Sequence, residues 1–251
     1  MTTMKKILVN PEEEAYNGQI KAEAVKVIVQ QFPKKIVELN TLIDKQLTID
    51  GNNNNNNNGL NIPMITISSD ISKSSETAAT MTDKSDVKVS DKSLTDGSNS
   101  EAIAVNENQH LSQLVDILMP QIWELSVYCL SLVVGMNLMV PEMEDGNNFG
   151  VEVQHECIEA MTVVENDIQR RVREIHAYCP ARAELFVKAV KYPDCQDYSR
   201  AIQERDLSFQ SYCLLSLVTV RNHYMNLHDM MMKNMQKIRK PRSGSTTHMM
   251  Y

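Results

Sequence analysis

Glycine and aromatic residues are scarce in this chain: 8 glycines, 1 tryptophan and 5% aromatics among 251 residues. A sheet-rich fold leans on turn glycines and strand aromatics, so the shortage points to an all-α protein. The five cysteines (Cys129, Cys157, Cys179, Cys195 and Cys213) include no C-x-x-C pair and no metal-ligand spacing. They read as reduced core thiols, and an odd count fits an intracellular protein. No N-x-[ST] sequon occurs, and Met1 to Ile20 is acidic rather than basic-then-apolar, so no secretory signal is expected. Basic charge is in deficit as well: 25 Lys+Arg against 32 Asp+Glu gives a net charge of −7. Coating a nucleic acid needs a basic excess to neutralise phosphates, so no nucleic-acid partner is expected. The longest uncharged run outside the Asn-rich segment, Leu125 to Pro141, falls short of a membrane span and carries Ser126, Ser131 and Asn137. A buried helix explains it better, and no membrane partner is expected.

Catalytic signatures are missing too. There is no G-x-x-x-x-G-K-[ST] phosphate loop, no G-x-G-x-x-G, no G-x-S-x-G elbow and no H-E-x-x-H, so ATP-driven work and enzymatic activity are not expected. E-x-x-H occurs twice, at Glu107 to His110 and at Glu152 to His155. Carboxylate-bridged di-iron bundles use two such motifs inside helices with two more glutamates on facing helices, but Glu107 precedes the apolar stripe that opens at Leu111, so the set is incomplete. The better reading is a solvated first helical turn, with Glu152 favouring the positive end of the helix dipole. His223 and His228 are five apart and point to different faces. No metal and no cofactor are expected.

What is present is helical period. Apolar or small residues recur at three-four spacing in Val25, Ile28, Phe32, Ile36, Leu39 and Ile43, and again from Leu111 through Leu118, Leu125 and Leu132 to Met139. A third stripe runs from Ile158 through Met161, Ile168 and Ile175 to Cys179. A fourth runs from Ile202 through Phe209, Leu217 and Tyr224 to Ile238. These lengths suit an elongated up-down-up-down four-helix bundle. Pro33 and Pro180 fall inside stripes and predict kinks or a break, while Pro141, Tyr192-Pro193-Asp194 and Pro241 predict helix ends. Lys233, Lys237, Arg239 and Lys240 read as a cationic helix C-terminus opposing the dipole.

Composition divides the chain into residues 1–50 as helix 1, 51–106 as an insert, 107–240 as helices 2–4 with a connection at 141–150, and 241–251 as a tail. The insert opens on Asn52 to Asn58, continues as a Ser/Thr/Asp/Lys mixture without aromatics, and reads as disordered because it cannot bury enough apolar area. Alternating helices place the insert at one end of the bundle. The 141–150 connection and the tail then share the other, so a partner docking there meets both.

That connection, Pro141-Glu-Met-Glu-Asp-Gly-Asn-Asn-Phe-Gly150, is dense in unusual residues. Its glycines admit left-handed backbone, its asparagines both donate and accept, and Phe149 is a candidate anchor. Glu144-Asp-Gly-Asn-Asn-Phe-Gly-Val151 resembles the activation loop of the 11S (REG) proteasome activators. The resemblance continues through Lys191-Tyr-Pro193, Asp197-Tyr198, Leu227-His-Asp-Met230, Lys233-Asn234 and Lys240-Pro-Arg-Ser243, and near the start in Phe32-Pro-Lys-Lys35 with Glu38-Leu39. The ending on Tyr251 after Pro-Arg-Ser points within the family to gamma-type subunits. The resemblance implies a subunit of a homoheptameric ring that sits on the core proteasome in the nucleus and/or cytoplasm, with no peptidase activity of its own. It implies tails that enter pockets between outer-ring proteasome subunits, here Met249, Met250 and Tyr251 with its carboxylate. It further implies activation loops that open the gate without ATP, here Glu144, Asp145, Gly146, Asn147, Asn148, Phe149 and Gly150, with Asn147 foremost. A helical scaffold that only mediates oligomer or adaptor contacts is the competing expectation.

Overall fold

The computed structural model describes residues 10–53, 108–142 and 146–242, without the side chains of 48–53. Nearly all of the insert lies outside the described residues. Among those described, every regular element is helical: α1 (Pro11–Lys26), a π-helical turn (Val27–Gln31), α2 (Phe32–Asn53), α3 (Gln109–Met139), α4 (Phe149–Lys191) and α5 (Gln196–Arg239). α1, the π turn and α2 form one rod, so the architecture is a four-rod bundle. α4 has 43 residues, which at the α-helical rise makes a rod about 65 Å long.

Cross-helix contacts give the direction of each rod. Lys35 bonds to Glu124 and Phe32 meets Tyr128, so the first rod runs antiparallel to α3. Ser126 bonds to Glu165 and Met139 to Gln154, while Asp167 faces His223 and Tyr178 bonds to Asp206, so α3–α4 and α4–α5 are antiparallel too. Neighbouring rods therefore alternate in direction, as in an up-down-up-down bundle.

The core is the sum of the apolar stripes. Leu111, Leu114, Leu118, Ile122, Leu125, Cys129, Leu132 and Met136 are buried along α3, and Phe209, Cys213, Leu217, Val220, Tyr224, Leu227 and Met231 along α5. Burial pushes the thiols of Cys129 and Cys213 up to about 12 and that of Cys157 to about 11, alone for Cys213 and with smaller help from the carboxylates of Glu165 for Cys129 and Glu156 for Cys157, so all three stay protonated. Cys179 and Cys195 are exposed, contrary to the expectation of five core thiols. On α4 the core position falls to Tyr178, whose ring stacks on Phe209 at 3.8 Å between centroids, and the adjacent Cys179 is turned outward.

The prolines act differently from one another. The π turn sits just before Pro33, with the Phe32 N–H reaching back to the Val27 carbonyl. Its extra residue gives the proline ring room where a regular turn would clash, and it carries the first rod past Pro33 without a break. It also shifts the stripe: Ala24, Val27 and Ile28 are buried, while Val25 and Ile36 are only half-buried. Pro180 and Pro120 lie inside α4 and α3, which continue through them.

Charged groups between the rods form ion pairs. Lys35 bonds to Glu38 and Glu124, both at 2.8 Å; burial works against its charge, but the two carboxylates outweigh that and its pKa is raised. Asp167 accepts from Arg171 at 2.7 Å, contacts Arg170 and faces His223. Burial alone would raise its pKa, yet these partners hold it well below the usual carboxylate range. α3 is long and apolar enough to cross a membrane by length and composition. Its inner stripe is core, and its outer face exposes Trp123, Val127, Leu130 and Val134.

Candidate functional site

The two ends of the bundle are built from different materials. Where α4 turns into α5 through residues 192–195, the network is made of charged side chains. Asp206, 1% exposed, accepts from Arg182 at 3.0 Å, from the Tyr178 hydroxyl at 2.7 Å and from Asn108 at 3.4 Å. Asn108 is also the N-cap of α3, accepting from the Leu111 N–H at 3.3 Å, so the start of α3 is tied to both neighbours. A cleft of about 550 Å³ opens beside this network, lined by Leu111, Val115, Ile175, Cys179 and Phe209 among others. His176 lines it as well, without a hydrogen bond to Cys179.

At the other end α3 stops at Met139, the extended backbone at Val140 leading into Pro141. A proline here cannot continue the ladder. Gly146 has φ 86° and Asn147 φ 51°, two left-handed residues in succession. Glycine takes that conformation freely and asparagine more readily than other residues, which accounts for their use at this turn. Both are exposed. The Asn148 carbonyl then accepts from the N–H groups of Val151 and Glu152, each at 2.9 Å, and starts α4.

The last turn of α5 packs against this connection. A Cβ on Gly150 would stand 1.9 Å from the Pro241 carbonyl oxygen, so only glycine allows the two backbones to meet. Arg242 donates to the Asn148 side-chain oxygen at 3.2 Å, and the Lys237 ammonium lies 5.6 Å from the Phe149 ring centroid. Gln154 is fully buried. Its Nε2 donates to the Ile238 carbonyl at 2.8 Å and to the Met139 carbonyl at 3.3 Å. Its Oε1 is buried without a hydrogen-bond partner among the described residues, which costs about 1–3 kcal/mol. Flipping the amide would set oxygen against two carbonyls, so the orientation is dictated by its neighbours.

The structure thus brings Gly146, Asn147, Asn148, Phe149 and Gly150 together with the start of the tail. Glu144 and Asp145 lie outside the described residues, as do Met249, Met250 and Tyr251. Phe149 is 66% exposed, so it is not a buried anchor; the anchor is Gly150 against Pro241. Glu152 and His155 are both exposed on the first turns of α4. Among the described residues no cluster of His, Cys, Asp or Glu could hold a metal ion. Gln154, Lys237 and Arg242 escaped sequence reasoning as partners of the connection. The available signal was a glutamine on the stripe that leads from Gly150 to Cys157 and Met161.

Chemically, the connection presents exposed left-handed backbone braced from behind by a helix terminus, which suits contact with another protein's main chain. Residues 104–248 match the family model described as "Proteasome activator PA28, C-terminal". The chain belongs to the PA28 proteasome activator family. The model "Proteasome activator PA28, N-terminal" matches residues 11–66. Proteasome activator complex subunit 3 of Gallus gallus is 29% identical over 246 residues, covering 92% of each chain, in keeping with the gamma-type likeness. By fold, the chain is similar to the 11S subunit of the Plasmodium falciparum proteasome, PA28, with a TM-score of 0.69 at 23% identity, covering 97% of this chain and 100% of that one. It is also similar to the activator of a solved proteasome–11S activator complex, with a TM-score of 0.57 at 12% identity and 95% of each chain covered. These likenesses confirm the helical-bundle fold of an 11S activator subunit.

Proposed function

We propose that this PA28-family chain activates the core proteasome without ATP, as a non-enzymatic regulator working as a homoheptameric ring in the nucleus and/or cytoplasm. Met249, Met250 and Tyr251 dock between outer-ring proteasome subunits. The loop Glu144 to Gly150, led by Asn147, presses on the gate. The observation that carries this reading is the packing of Gly150 and Asn148 against Pro241 and Arg242, which puts the loop and the root of the tail at one pole.

The division of labour follows from binding physics. A few tail residues bury too little to bind tightly alone, but several tails on one ring raise effective concentration. A gate equilibrium then moves only through contacts that differ between its closed and open states, which the exposed, left-handed Gly146 and Asn147 are placed to make. The outward stripe Trp123, Val127, Leu130 and Val134 supports self-assembly, since an aligned exposed apolar face marks an interaction surface.

The test is hydrolysis of short fluorogenic peptides by purified core proteasome, with this protein added and nucleotide omitted, alongside native mass. Stimulation by a ring-sized species is expected. A ring that forms and leaves the hydrolysis rate unchanged would instead indicate a helical scaffold.

A further inference from the structure

We propose that Gln154 is a positioning residue that makes the activation loop and the root of the docking tail one mechanical unit, so that seating the tails also sets the loop against the gate. This rests on the activator reading above and deepens it. The last carbonyls of any helix lack intrahelical donors. Here Met139 ends α3 and Ile238 lies one residue from the end of α5, and a single buried amide nitrogen on α4 donates to both. A primary amide has two N–H groups, one for each carbonyl. The end of α3, the start of α4 and the end of α5 are therefore pinned to one another at one atom. An apolar side chain could fill the same space, but it could hold neither carbonyl.

Two further contacts remove the slack between this pin and the loop. Pro241 rests backbone to backbone on Gly150, so a movement of the tail root is passed to the first turn of α4 without an intervening side chain. Arg242 reaches the Asn148 side chain, one residue from Asn147. Force applied beyond Arg242 thus arrives at the left-handed turn.

The experiment uses the full chain with core proteasome and a short fluorogenic peptide, reading the activator concentration for half-maximal effect separately from the plateau of stimulation. Gln154→Met keeps length and bulk and removes the donor. Its native mass and half-maximal concentration are expected to match the unmodified chain, while the plateau falls by about threefold or more. A residue that served only folding would not split plateau from concentration in this way. An unchanged plateau overturns the proposal. Should Gln154→Met lose the ring, Arg242→Ala decides, because that half-buried side chain lies beyond α5: a lower plateau at unchanged half-maximal concentration supports coupling, and an unchanged plateau overturns it. If the unmodified chain gives no stimulation, it is the activator reading that fails.

Discussion

The two poles of this bundle solve one problem in two ways. Apolar stripes hold the rods together along their length, but each pole must tie off helix ends where the stripes run out. At the α4–α5 turn the tie is charged: Asp206, Arg182 and Tyr178, all buried, close around each other and capture the cap of α3. At the opposite pole the fully buried part of the tie is neutral, a glutamine amide and a glycine acting on backbone carbonyls. A buried charge network depends strongly on every member. An amide on carbonyls fixes the main chain while leaving the loop's own side chains exposed. The pole free to present its backbone is the one suited to touch a partner.

Changes at that pole carry the largest expected effects. Deleting Met249 to Tyr251 is expected to abolish co-sedimentation with core proteasome. Asn147→Tyr is expected to leave co-sedimentation intact and remove peptide stimulation, because a bulky residue with a restricted left-handed range replaces one that tolerates it. Equal loss of binding in both variants would break the proposed division between tail and loop.

Stability sharpens the contrast between the poles. Arg182→Met leaves Asp206 buried without its cation and is expected to cost about 3–5 kcal/mol in urea unfolding. Gln154→Met removes two hydrogen bonds to neutral carbonyls and is expected to cost only about 1–2 kcal/mol. Equal costs would contradict the distinction between a charged and a neutral tie.

The smallest effect belongs to Asp167, which lies between the poles. Its folded pKa is depressed, so its contribution is fully present above the ordinary carboxylate pKa and is lost as pH falls through the lower folded value. Asp167→Asn should therefore weaken the protein at neutral pH and flatten the fall in stability below about pH 4. An acid limb identical in both proteins would show that Asp167 does not shape it.

Much of this was legible in the sequence because helical stripes are periodic and their errors average out. The stripe from Leu111 to Met136 is buried as expected, and the all-α bundle follows from it and its three partners. Single residues were harder. Cys179 follows the spacing yet is exposed, because Tyr178 can both stack on Phe209 and donate to Asp206, and it takes the inner position. Phe149 looked like an anchor, but the close approach of Pro241 to Gly150 leaves the phenylalanine outside. Gln154 was missed because its partners are backbone carbonyls far apart in the chain, and main-chain acceptors have no sequence signature. Pro33 predicts a kink or a break, and the rod does not break there because one extra residue in the π turn makes room for the ring.

The most direct measurement is site-specific photo-cross-linking of the ring to core proteasome, with the probe at Asn147 or at Asp194 on the opposite pole. Cross-links to outer-ring proteasome subunits from position 147 and none from position 194 are the predicted result. Cross-links from 194 with none from 147 would contradict the assignment of the gate-facing pole.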